Sequence, residues 1–170
     1  MILQYFTKKE TKEKKIAISS YRKILKLSNL YLFENTYVKK KDFKSSFEFI
    51  SIILIMNIKL NIAKNIKNYD KINETLIEIF ISDLDETLRA KGIGDMSIGK
   101  YVKSYVKKFY FRLSKLHNIL DQNREQIILN YLSFINITEK DSIKQSSVLF
   151  LNMIDNIIKT YDFKKNSNET

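Results

Sequence analysis

Apolar residues recur along this chain at intervals of three and four, the spacing that gathers them on one face of a helix. Ile16, Ser20, Ile24, Leu27, Leu30 and Tyr31 predict a first helix from Ile16 to about Ser28. Residues 31–42 mix aromatics with Lys39, Lys40 and Lys41, and an irregular connection is expected there. From Phe43 to about Asn68 the pattern becomes apolar nearly all round: Phe47, Ile50, Leu54, Ile58 and Ile62 form one stripe, widened by Phe49, Ile53 and Met56. Such a helix belongs at the centre of a core. A third helix is predicted from Tyr69 or Asp70, with Asp70 as its N-cap, to Lys91.

The fourth helix is two-faced. Ile98, Val102, Tyr105, Val106, Phe109, Leu113, Leu116 and Leu120 fall in one arc, while Lys100, Lys103, Lys107, Lys108, Arg112 and Lys115 are assigned to the opposite half. Ile127, Ile128, Tyr131, Leu132 and Ile135 predict a fifth helix over residues 121–136. A sixth, from Asp141 to about Phe163, is read through Val148, Leu151, Ile154, Asp155 and Ile158. With no internal repeat and no long linker, the expectation is a single all-α, bundle-like domain of about six helices over residues 16–163. A charged leader (1–15) and a disordered tail (164–170) would flank it.

Composition sharpens this at one place. The 170 residues contain no proline and three glycines, all within Gly92–Gly99, so the chain turns its sharpest corner there. Gly92 suits the left-handed residue that ends a helix, with Ile93 packing back on Leu88 in a Schellman motif. Gly94 lies in the turn, and Asp95 or Ser97 would cap the next helix. Gly99 falls inside that helix, where glycine costs about 1 kcal/mol relative to alanine, and a close neighbour is expected to justify it.

No cysteine and one histidine leave no disulfide framework and no His-rich metal site, and no cofactor is expected. The net charge of +11 points to an anionic partner, such as nucleic acid, the ribosome or lipid headgroups, although a Lys, Ile and Asn excess also follows from codon bias. The first fifteen residues lack a signal-peptide core and carry acids that a transit peptide avoids. The apolar run from Phe49 to Ile58 is about half of the roughly 20 residues a membrane span needs, so it reads as a core helix of a soluble or peripheral protein.

Two catalytic motifs appear in letters only. Gly94–Lys100 spells G-x-x-x-x-G-K, but a helix precedes it and Tyr101 stands where a P-loop needs Ser or Thr. Ile79–Leu88 mimics the D-x-D-x-T of an aspartyl phosphatase without the parallel strands that would hold the nucleophile. No catalytic residue is assigned, no small-molecule substrate is expected, and His117 reads as a surface residue. Asp83 shares a wheel sector with Ile72, Leu76, Ile79 and Phe80. It is either a buried carboxylate paired with Arg112, Lys100 or the free amides of the fourth helix, or a rim aspartate half in water. Tyr101, Tyr110 and Phe111 interleave with the lysines, making Lys100, Lys103, Lys107, Phe111 and Arg112 the candidate partner-binding face.

The run from Asp83 to Lys100, continued by Val102-Lys103, Phe109-Tyr110 and Arg112, resembles the signature of the ubiquinol-cytochrome c chaperone family, D-x-D-x-x-L-R-x-x-G-V-G-D-x-S-V-G-K-x-V-K followed by F-Y-G-R. Tyr31-Leu32-Phe33 and Phe47-Glu48-Phe49 extend the likeness upstream, so that it covers roughly residues 21–120. Phe111 replaces the glycine of F-Y-G-R, and Ile53 stands where many members carry histidine, which removes any expectation of a haem or metal ligand there. The resemblance implies a non-enzymatic, all-helical assembly factor of respiratory complex III that holds newly made cytochrome b, with another complex III subunit as the alternative partner. It also implies a small helical partner and a station near the ribosomal exit tunnel. A bacterial member acting at the cytoplasmic face of the inner membrane, in peripheral contact with it, is the expectation. A basic helical module for nucleic acid or the ribosome is the rival reading, and an enzyme using the aspartates a third.

Overall fold

The computed structural model describes residues 11–121 and 123–166, with the side chains of 162–166 left aside. Among the described residues it contains six α-helices and no strand: α1 (Lys12–Glu34), α2 (Phe43–Ala63), α3 (Tyr69–Ala90), α4 (Asp95–Lys115), α5 (Arg124–Ile135) and α6 (Ile143–Asn166), the last preceded by a 3₁₀ turn at Lys140–Ser142. The chain is therefore a single all-α domain.

The most apolar helix is the centre. Fourteen residues of α2 are buried, and α1, α3, α4 and α6 all pack against it. By length and composition α2 could cross a membrane, but most of its apolar surface is covered by the other helices. Its start is fixed by Asp42, whose carboxylate accepts from the Ser45 amide at 3.0 Å. The ammonium of Lys41 sits at the end of α1, donating to the carbonyls of Leu32 and Asn35. Two hairpins, α3–α4 and α5–α6, complete the bundle, and α1 lies across α2 and α3.

Several boundaries differ from the sequence reading. Thr11 caps α1, so the helix starts inside the segment read as leader and continues six residues past Ser28. Its buried side is Ala17, Tyr21, Ile24, Ser28 and Leu32, one step round from the predicted stripe, leaving Ile16 and Leu30 exposed. Small Ala17 and Ser28 let α1 lie close to its neighbours, which a count of large apolar residues does not register. Asn65 and Asn68 take left-handed backbone conformations and end α2 at Ala63, with Ile62 exposed. Asn68, not Asp70, is the N-cap residue of α3. Helix α4 stops at Lys115, though Leu116 and Ile119 beyond it are buried, and Val148 of α6 faces outward. Helix α6 runs to Asn166, into the segment read as tail; residues 1–10 and 167–170 lie outside the described part.

Candidate partner-binding face

The glycine turn sets the direction of α4. Gly92 is left-handed (φ +87°), its amide donates to Arg89 O at 2.8 Å, and the Ile93 amide donates to Leu88 O at 3.2 Å, the two bonds of a Schellman motif. Gly94, rather than Asp95 or Ser97, is the N-cap residue. The Asp95 carboxylate is instead drawn across the turn to Arg89, which also binds Asp85; these bonds push the exposed Arg89 guanidinium up from its ordinary pKa. A charged clip thus replaces the expected side-chain cap.

Helix α4 is held to α2 by aromatic rings and one ion pair, and to α3 by a further ring contact. Tyr105 meets Phe43 and Phe47 edge-on at 5.2 and 5.0 Å, and Phe109 meets Phe80 at 5.0 Å. Arg112 is buried rather than part of the outward face. Its Nε and Nη2 donate to the two carboxylate oxygens of Glu48 at 2.9 and 2.6 Å, and Nη1 donates to Lys108 O at 3.2 Å. The Tyr131 hydroxyl of α5 adds a third donor to Glu48 at 2.9 Å. Burial by itself would lower the Arg112 pKa, but the hydrogen bonds and charge of Glu48 outweigh it and hold it above its usual value. Burial, then the charge of Glu48, pushes Tyr131 well up, so it stays a neutral donor. One carboxylate therefore ties three helices together.

The signal for this triad was present. Arg112 lies three residues after Phe109 and four before Leu116, at the edge of the apolar arc, and Glu48 sits between Phe47 and Phe49 in the most apolar helix. Asp83 is not that buried ion. It is half-buried and accepts a hydrogen bond from Tyr21 at 2.8 Å rather than from Arg112, Lys100 or the α4 amides. Burial and Asp83 together raise the Tyr21 pKa.

One outward row on α4, its members a helical turn apart, is Met96, Lys100, Lys103, Lys107 and Phe111, all exposed, with Tyr101, Lys108 and Tyr110 exposed beside it. Gly99, Lys100, Lys103, Ser104 and Lys107 line a shallow groove, and among the described residues no carboxylate lies within ion-pair distance of the three lysines. The close neighbour expected at Gly99 is absent among the described residues: a Cβ placed there meets no atom within 4 Å. At the end of the row Phe111 meets Phe134 of α5, with ring centroids 5.1 Å apart, a residue the sequence reading did not select. An exposed phenylalanine on an otherwise buried stripe of α5 was the available clue.

Fold and surface together define an all-helical protein with one outward basic helix face edged by aromatics. The family model for "Ubiquinol-cytochrome C chaperone" matches residues 39–130, more than half of the chain and the whole of α2, α3 and α4, and the protein belongs to that family. No curated protein and no solved structure matches it.

Proposed function

We propose that this protein is a non-catalytic assembly chaperone of ubiquinol-cytochrome c reductase that holds newly made cytochrome b through the outward face of α4. In this reading it works at the cytoplasmic face of a bacterial inner membrane, with anionic headgroups adding to its retention there. Besides family membership, one observation carries the reading. Three lysines with no carboxylate partner among the described residues stand in a row on a helix whose inner side is locked by the Glu48–Arg112 pair, so the charge is presented on a rigid support. Unpaired surface lysines do little for the fold and steer anionic partners.

The test is recovery of cytochrome b with the tagged protein from native membranes. Lys103→Glu/Lys107→Glu is expected to keep the wild-type melting temperature and lose most of the captured cytochrome b; equal recovery by both proteins refutes the assignment of this face. RNA binding that falls steeply with salt, without cytochrome b, would support the nucleic-acid module instead.

A further inference from the structure

The lysine row ends against a feature that charge alone does not explain. Phe134 is 55% exposed, yet its ring is braced, by Phe111 at 5.1 Å and by the Arg112 guanidinium at 5.6 Å. Lys115 lies over the other ring of the pair, 5.3 Å from the Phe111 centroid. Behind Phe134, a recess of about 260 Å³ between α4 and α5 is lined by Lys115, Ile127, Asn130, Tyr131 and Phe134. A cavity of roughly 150 Å³ accepts benzene, so this recess has room for one large apolar side chain. Its floor is rigid because Tyr131 is bonded to buried Glu48. Phe111 stands where the resemblance has glycine, and Phe134 lies beyond the matched residues, so this aromatic wall is a property of the chain itself.

We infer that α4 and the adjoining face of α5 form one docking groove for an acidic amphipathic protein segment, with carboxylates opposite Lys100, Lys103 and Lys107 and an apolar anchor residue in the recess beside Phe134. This deepens the proposed function, since it names what the chaperone face recognises on its protein partner. Charge complementarity selects the sign of the partner. The recess selects a protein segment over other anions. A duplex nucleic-acid backbone satisfies the lysines and leaves the apolar recess empty. A flat bilayer needs several apolar tips standing proud of the lysines, whereas Met96 alone does so at one end of the row, and at the other Phe111 packs on Phe134, which walls the recess. At the other end, Gly99 leaves bare backbone with open space above it, the room a second chain needs to lie close. From Gly99 to Phe111 the groove runs about 18 Å, or three turns of a docked helix.

The experiment uses the full chain and a fluorescein-labelled, helical 20-residue peptide with three glutamates on one face and a tryptophan one turn beyond them, made in both sequence directions. Fluorescence anisotropy should show saturable binding of one direction. Lys103→Glu/Lys107→Glu should weaken it at least tenfold and flatten its salt dependence. Phe134→Ala should weaken it about fivefold with the salt dependence unchanged, and should have no effect on a peptide whose tryptophan is replaced by alanine. Gly99→Leu, which fills open space, should weaken binding without lowering the melting temperature. Binding indifferent to Phe134→Ala overturns the inference, as does binding of phosphatidylglycerol vesicles but of neither peptide. A chain that captures cytochrome b yet ignores both peptides also overturns it and leaves the chaperone reading standing. Peptide binding with the full set of variant effects but no cytochrome b capture supports the groove and removes the client.

Discussion

Glu48 and Asp83 lie on helices packed against each other, and each accepts a hydrogen bond from a tyrosine, yet they occupy opposite ends of the cost scale. Glu48 is 2% exposed and holds a buried guanidinium as well as Tyr131; Asp83 is half-buried and has Tyr21. The difference is one of supply. A carboxylate can leave water only where a cation and enough donors meet it, and α4 and α5 deliver Arg112 and Tyr131 to the same two oxygens. At the rim, water completes the shell of Asp83 and no cation is required.

The largest expected effect breaks the first of these sites. Glu48→Ala strands a buried guanidinium and should cost about 3–5 kcal/mol in urea unfolding, whereas Glu48→Leu/Arg112→Met should recover most of that loss. A cost below about 1 kcal/mol for the single variant would put Glu48 in the same class as Asp83.

Alkaline pH separates the two sites next. The folded protein holds both Tyr131 and Tyr21 above their ordinary pKa, while in the unfolded chain they ionise near pH 10. Above that pH the unfolded state binds fewer protons, so stability, complete below pH 10, falls as pH rises. The slope is up to about 1.4 kcal/mol per pH unit for each tyrosine. Urea midpoints between pH 9 and pH 11.5 should lose one share of the slope in Tyr131→Phe and another in Tyr21→Phe.

The turn that joins the helix of Asp83 to the helix of Arg112 gives a pair of opposite signs. Gly92→Ala forces a side chain into a left-handed conformation and should cost about 1–2 kcal/mol. Gly99→Ala, with open space around it, should stabilise the isolated chain by up to ~1 kcal/mol. Thermal melts of both variants decide this. The smallest effect is expected from Asp83→Asn, which keeps an acceptor for Tyr21 and should change stability by less than about 1 kcal/mol. A loss near that of Glu48→Ala would erase the contrast.

Much of the fold was legible because helical periodicity is local. The six helices, the central place of Phe43–Ala63 and the stop at Gly92 follow from spacing, from apolar content and from the residue that tolerates a positive φ. Helix ends at Asn65 and Asn68 were less legible, since asparagine signals a left-handed turn more weakly than glycine does. Of the candidate face, Lys100, Lys103, Lys107 and Phe111 lie together on the surface, while Arg112 turns inward.

By itself the sequence determined which segments are helices, which of them is apolar enough to be the core, and that one helix carries an excess of lysines on its outer side. Only the tertiary structure decided which charge goes inside. Arg112 sits at the edge between the two faces of α4, where the wheel is neutral on the choice, and it turns inward because Glu48 and Tyr131 arrive there from 64 residues before it and from the following helix. Periodicity records how a residue stands relative to its own helix. A buried ion pair depends on a partner far along the chain, and that meeting exists only once the helices pack.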